Sequence, residues 1–504
     1  MKRSYWIKEP SVAYTSLSDS IHVDTLVIGG GMCGLMSAYY LSHTDRRIAL
    51  VEAERIGQGA SGRNTGKLSA QQGFLYSDLI KTHGEAKARL YYEANRDAIT
   101  ALEDLINDEK INCQFRRVDA MLMALDEREQ EALEKERQAY DALRIPYEVV
   151  TQPPYEMPFV KGLRMMKQAQ FHPYHFMLEL AQRMHQNGVA IHEHSPVTAI
   201  NKQKEGYAIT CNNCTIHAKS IIMATHFPIS DHGNLFFTKV DFVQGDLLAA
   251  KSAYPLHDTM MINIDSDHIF SARTQIDDDG SALAILSGNQ HHAGFMTLED
   301  HDRWVKMRTR QFQLKQPILT WRNQDYVSHD RLPFIGNLIA DDPSIQFASG
   351  FGKWGNTMSV VAAKTMVANL LVEMTPYAAL FAPHRRQVIF QSSYFLGNMK
   401  MIKHYLTSHI KSFFPDHYPF HVRTFHENGT VYGAVEKDGK LSIVNIRCPH
   451  LGCILNYNAV DETCDCPCHG SRFTYDGKLI KGPADQDLHD IEEAPNTIDP
   501  HIID

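Results

Sequence analysis

At 504 residues the chain is too long for one small core, and length alone suggests about three domains. Hydrophobic residues at 43% and charged residues at 22% exclude a disordered or fibrous class and leave an ordinary globular protein. A formal charge of −9 gives no electrostatic support to a nucleic-acid role, so none is expected.

The first twenty residues carry neither the apolar core of a secretory signal nor a twin-arginine pair, and the expected compartment is the cytoplasm. TLVIGGGMCGLMSAYYL is broken by four glycines and is too short to span a bilayer comfortably. It reads instead as a strand at 24–28, a glycine turn and a helix over 32–42, with a second apolar strand in RRIALVEA at 46–53. DEREQEALEKERQAYDAL at 126–143 predicts an exposed helix laced with i,i+4 ion pairs. From Pro173 the pattern is helix, Asn-Gly stop and strand, and AKSIIMA at 218–224 predicts a buried strand. IQFASG, GFGKWGN and TMSVVAAKTMVANLL then give strand, turn and helix between 345 and 371. Residues 387–420 read as a connector whose apolar positions suit packing between domains, with a membrane surface as the alternative. Beyond residue 421 short alternating runs with ENG and DGK turns predict antiparallel strands, so the chain changes from α/β to all-β near 415–425.

Gly29, Gly31 and Gly34 form G-x-G-x-x-G between a strand and a helix, and Glu52 follows at the end of the next strand. That spacing serves a dinucleotide: a tight turn, close approach to a pyrophosphate, and a carboxylate for ribose hydroxyls. The segment GQGASGRNTGKLSAQQG at 57–73 resembles the second fingerprint of the FAD-dependent glycine oxidase/D-amino acid dehydrogenase superfamily. HSPVTAI at 194–200, WRNQDYVSHDRLPFIG at 321–336 and GFGKWGNTMS at 350–359 resemble further stretches of that superfamily, in order. The resemblance implies FAD held by Gly29, Gly31, Gly34, Glu52, Ser61, Gly62, Asn64, Thr65, Gly66, Val197, Gly350, Gly352, Gly355, Asn356 and Thr357. It also implies a Rossmann-like FAD-binding domain (about 22–80, 170–230 and 325–386) interleaved with a substrate domain (about 81–169 and 231–324), together filling residues 1–386. The family's arginine–proline pair for a substrate carboxylate is missing, which argues against an α-amino acid substrate, although Arg322 is nearby. Trp354 stands where many members have histidine, and Lys67 follows the fingerprint turn, so Lys67, Arg322 and Trp354 are the catalytic candidates. His329 and Asp330 read either as a dyad or as surface polar residues.

Five of the nine cysteines and two histidines crowd into residues 448–469. A disulfide framework, zinc or an iron–sulfur cluster would each explain the crowding. Cys448 and His450 form C-x-H, and Cys466 and His469 form C-x-x-H. Zinc fingers usually pair like with like along the chain, whereas here each box supplies one of each. Two cysteines on one iron and two histidines on the other is Rieske [2Fe–2S] ligation. CPHLGC and CPCHGS closely resemble the two Rieske boxes, and GKLIKGPA at 477–484 resembles the family's third loop, implying a Rieske domain over 421–504. The same resemblance implies a disulfide between Cys453 and Cys468, and a hydroxyl donor to the cluster at Ser471. Phe473 replaces the tyrosine of high-potential members, so an intermediate potential is expected within roughly −150 to +300 mV. Cys464 and the pair Cys211 and Cys214 have no assigned role.

Together these readings predict a dehydrogenase: an amine-like or related small organic substrate reduces FAD, and electrons leave singly through the cluster to an unknown acceptor. An electron carrier with a protein donor, or an oxygen-using oxidase with a structural cluster, are the alternatives. Membrane association is not expected.

Overall fold

The computed structural model describes residues 3–8, 12–152, 158–230, 233–253, 258–263, 269–412, 423–427, 429–437 and 440–488. An eight-stranded sheet grows from the strand Ile21–Ile28, whose buried second half, Thr25 to Ile28, ends in the apolar run LVI and is flanked by strands on both sides. Parallel neighbours are Ile48–Val51 and Cys214–Met223, extended by Ala190–His192 on one side and Asp342–Ser349 on the other. The helix Met32–Ser42 is buried on nearly every side, and it packs against the helix Gly355–Leu370 in the same core. Both helices begin at the carboxyl ends of parallel strands, where open α/β sheets bind their ligands.

A second, nine-stranded sheet takes strands from 67–68, 116–170 and 240–328, so the chain passes repeatedly between the two sheets. Its centre is the antiparallel pair Val240–Lys251 and Leu319–Ser328, in register from Val240 opposite Ser328 to Ala249 opposite Leu319. Two small antiparallel sheets follow, one from Arg423–Glu427, Thr430–Lys437 and Lys440–Asn445, the other from four short strands between Asn456 and Lys481. Val444, Ile446, Ile454 and Phe473 share their core with the cysteines of both boxes. The whole is a mixed α/β fold with a small all-β region at its end.

Three sequence expectations change. The charged helix Glu127–Ala142 starts as expected, with Asp126 accepting from the Glu129 N–H at 3.0 Å, a cap worth about 1 kcal/mol. It is not exposed all round. Leu133, Ala139 and Tyr140 are buried, and buried Glu136 accepts the N–H groups of Leu75, Tyr76 and Ser77 at the start of the helix Tyr76–His83. A carboxylate at a helix N-terminus is favoured by the dipole as well as by those bonds.

His329 and Asp330 are not on the surface. Both are buried, and Asp330 receives a two-point bond from Arg385 at 2.7 and 2.8 Å. Among the described residues they form no dyad with each other: Asp330 is committed to Arg385, and His329 faces Asp241 at 3.8 Å.

The connector forms the helix Ser392–Ser412, which does lie against both halves of the molecule. Its packed face, however, is Gly397, Met401, Ser408 and Ser412, while most of the large apolar positions point outward. Apolar spacing alone says nothing about which face of a helix turns inward.

Candidate functional site

The glycine turn is built so that side chains would not fit. A Cβ on Gly34 would stand 1.8 Å from the Gly29 carbonyl oxygen, and Gly29 itself has φ +107° with a would-be Cβ 2.6 Å from the Ala224 oxygen. The backbone therefore lies bare at the start of a helix that has no side-chain cap from its own Ncap residue, Gly31. Ser61 supplies one bond there, its Oγ accepting from the Met32 N–H at 2.9 Å. Glu52 accepts the Gly30 N–H at 2.6 Å through one oxygen and the Glu54 N–H at 2.9 Å through the other. Burial pushes its carboxyl upward, although those two N–H donors oppose the shift.

The other quoted segments converge on this corner. The chain before Val197 is zipped to Glu52 and Glu54 through the N–H groups of Ser195 and His194, at 2.8 and 2.9 Å. Asn64 and Asn356 exchange amide hydrogen bonds at 3.0 and 3.1 Å, which ties the 57–66 segment to the start of the helix Gly355–Leu370. Asn64 also accepts from the Gly66 N–H at 2.7 Å, and Thr357 donates to Asn95 at 2.7 Å. Gly350 and Gly352, both at positive φ, shape the loop leading to that helix, while Gly62 and Thr65 lie in the 57–66 segment.

The three catalytic candidates separate. Lys67 is buried, donating to the Met261 carbonyl at 2.8 Å and to Ser271 Oγ at 2.5 Å. Burial, helped by Arg273, holds its amine well below the ordinary lysine value. Arg322 is committed elsewhere: Nε donates to Asp246 at 2.5 Å and Nη1 to Asn458 at 2.9 Å. Trp354 is half-buried at the Ncap of the Gly355–Leu370 helix, beside the 350–353 loop.

At the other end of the chain the two boxes form matching turns. The Gly452 N–H bonds to the Cys448 oxygen at 2.9 Å and the Gly470 N–H to the Cys466 oxygen at 3.0 Å, each glycine at φ +78°. The neighbouring Cys466 lowers the Cys448 thiol, and the His450 and His469 rings stand perpendicular with centroids 4.8 Å apart. Cys453 and Cys468 are joined in a disulfide, with sulfurs within 4.8 Å of that of Cys466. Ser471 Oγ accepts from the Ala484 N–H at 2.9 Å, which brings in the third loop. Two thiols and two imidazoles thus converge from two loops onto one place, the donor set of a Rieske centre.

The family follows from comparison with known proteins. Residues 24–369 match the FAD dependent oxidoreductase family and residues 405–492 the Rieske [2Fe-2S] domain. The chain belongs to the FAD dependent oxidoreductase family. It is 30% identical over 504 residues to the putative Rieske 2Fe-2S iron-sulfur protein YhfW of Bacillus subtilis (strain 168), covering 97% of both chains. Similarity to gamma-glutamylputrescine oxidoreductase of Escherichia coli (strain K12) is 26% over 239 residues, 44% of this chain and 54% of that one. The fold resembles that of glycine oxidase from Geobacillus kaustophilus, with TM-score 0.61 and 16% identity over 72% of this chain and 99% of that one. FAD and a Rieske [2Fe-2S] cluster are therefore the cofactors of this FAD oxidoreductase, and the bare glycine turn, the Glu52 carboxylate and the Cys/His set fit them.

Between the two sites lies a wall that the sequence did not announce. Along the strand Leu319–Ser328 alternate side chains face opposite ways. Trp321 donates to the Arg63 oxygen at 2.9 Å, and Asn323 to the Ala60 oxygen at 3.4 Å. Asp325 accepts from the Lys353 N–H at 2.5 Å. All three reach the FAD-fingerprint segments. From the intervening positions Arg322 donates to Asn458, Gln324 to the Gly470 oxygen at 2.8 Å and Tyr326 to the Gly482 oxygen at 2.9 Å, all in the Rieske region. Phe237 adds an edge contact to both histidines, its ring centred 5.0 Å from His450 and 4.9 Å from His469. Asp325 also holds His226 at 2.7 Å, a non-glycine residue at φ +68°. Such strain persists only where the surroundings enforce it. Which neighbour each face of WRNQDYVS meets depends on docking that no local pattern encodes.

Proposed function

We propose that this FAD oxidoreductase is a dehydrogenase for an amine-like or related small organic substrate, whose electrons cross the Leu319–Ser328 wall to the cluster and leave one at a time. Bound FAD supplies two-electron chemistry and the cluster one-electron chemistry. The observation that carries the reading is the shared strand, one face on the FAD-fingerprint segments and the other on the loops that bear the cluster ligands. With its side chains alternating between two faces, one strand thus bonds to both sets of segments. The chain's residues then divide the work. Gly29, Gly31 and Gly34 would admit the pyrophosphate and Glu52 the ribose. Ser61, Gly62, Asn64, Thr65 and Gly66 with Gly350, Gly352, Gly355, Asn356 and Thr357 would enclose the flavin, and Val197 would meet the adenine. Cys448, His450, Cys466 and His469 would hold the two irons. Similarity to an oxidoreductase of gamma-glutamylputrescine, itself an amine, supports the substrate class. The commitment of Arg322 to Asp246 and Asn458 supports a substrate without an α-carboxylate to be held there. Of the other candidates, Lys67 would bear on the flavin through a buried amine, and Trp354 would wall the pocket.

The test is anaerobic mixing of the purified protein with a panel of amines and related compounds, read by absorption and EPR. The expected result is bleaching of the flavin followed by the signal of a reduced Rieske centre. Stoichiometric hydrogen peroxide in air with the cluster left oxidised would overturn the reading in favour of an oxidase. Rapid reduction by a protein donor and by no small molecule would overturn it in favour of a carrier.

A further inference from the structure

The helix Ser392–Ser412 is turned inside out relative to an ordinary surface helix. Against the protein it packs Gly397, Met401, Ser408 and Ser412, and to the outside it presents Phe395, Leu396, Met399, Ile402, Leu406 and Ile410. Phe395 and Leu396 are each 71% exposed and Ile410 is 60% exposed, and Phe390, 79% exposed just before the helix, extends the stripe. The spacing 395, 399, 402, 406 and 410 keeps these side chains on one face along a helix about 30 Å long. Isolated exposed apolar residues need no explanation, but a continuous stripe of this size marks an interaction surface.

Charge selects the occupant. The chain as a whole is at −9, yet residues 374–412 contain no Asp or Glu. Exposed Arg386, Lys400, Lys403 and Lys411 stand beside the stripe. Apolar side chains on one face with flanking lysines form the pattern of a helix lying in the plane of an anionic bilayer, apolar face sunk to the acyl boundary and ammonium groups reaching the headgroups. Among the described residues no helix is long and apolar enough to cross a membrane. We infer that this face docks the protein on an anionic phospholipid surface.

The experiment uses the full chain with both cofactors and vesicles of phosphatidylcholine, with or without phosphatidylglycerol, in a sedimentation assay. Wild type should sediment with the anionic vesicles, and added salt should release it. Each lysine near such a surface contributes about fivefold, so K400Q/K403Q/K411Q should bind roughly 100-fold more weakly. F395E/L406E should lose binding altogether while its flavin and cluster spectra stay unchanged, which keeps misfolding distinct from loss of docking. Equal sedimentation with and without phosphatidylglycerol would overturn the inference. So would a lipid-free dimer, seen by analytical ultracentrifugation, that F395E/L406E converts to monomer, because the stripe would then belong to a second copy of the chain.

Discussion

Tyr326 touches both sites by itself: its backbone oxygen accepts from the Gly352 N–H at 3.0 Å, and its hydroxyl donates to the Gly482 oxygen at 2.9 Å. Removing that hydroxyl deletes one neutral hydrogen bond, worth about 1 kcal/mol. Y326F should therefore slow reduction of the cluster several-fold while leaving substrate reduction of the flavin unchanged, a split that stopped-flow absorption resolves. Equal slowing of both phases would assign Tyr326 a merely structural role. The Rieske region was legible because the chemistry of its two boxes is local and their spacing short. Tyr326 was not, since a tyrosine in a strand is ordinary until its two neighbours are known. Ser471 and Phe473 make a second case at this scale. Both are buried beside the cysteines, and Phe473 has no donor to offer. F473Y should raise the cluster midpoint and S471A should lower it in redox titration, because each hydroxyl offsets negative charge on the reduced centre.

Elements were easier to read than their surroundings. The strand–turn–helix units appeared where glycine, apolar runs and caps placed them, for those signals act within a few residues. What faced them was hidden. Asp246, on the strand Val240–Lys251, sits opposite Arg322 in register and accepts from it at 2.5 Å, with His301 at 3.0 Å and Asn289 at 2.7 Å completing its shell. Burial alone would raise the Asp246 carboxyl, but His301 and Arg322 hold it down to about 2. Both charges are almost wholly buried, so loss of one strands the other. D246A should cost about 3–5 kcal/mol in denaturant unfolding, and D246L/R322M should recover most of that, as expected when a buried pair is replaced by apolar groups. A small cost for D246A would mean that water reaches Arg322 and that the wall is looser than its register implies.

For the whole molecule the order of its parts was plain from the chain, and their mutual docking was not. Gln244 donating to Asp465, His292 hydrogen-bonded to the Pro467 oxygen, and Phe242 seated 2.7 Å from where a Gly470 Cβ would lie belong to no motif. Yet these contacts, with Phe237 on both histidines, seat the loops of the two Cys/His boxes on the 237–292 part of the FAD oxidoreductase region. In the proposed route, electrons would reach the cluster from within the molecule. If that is the route, abolishing the cluster should cut the protein in two functionally without stopping the first half. In C466S, iron binding is lost while the 453–468 disulfide and the Gln324 bond to Gly470 still brace the loop, so the FAD region keeps its neighbour. Anaerobic bleaching of the flavin by substrate should then proceed at its wild-type rate. Turnover with a one-electron acceptor should fall more than tenfold, and turnover with a two-electron dye should persist. Undiminished one-electron turnover in material shown by metal analysis to lack iron would place the exit at the flavin and leave the wall as packing alone.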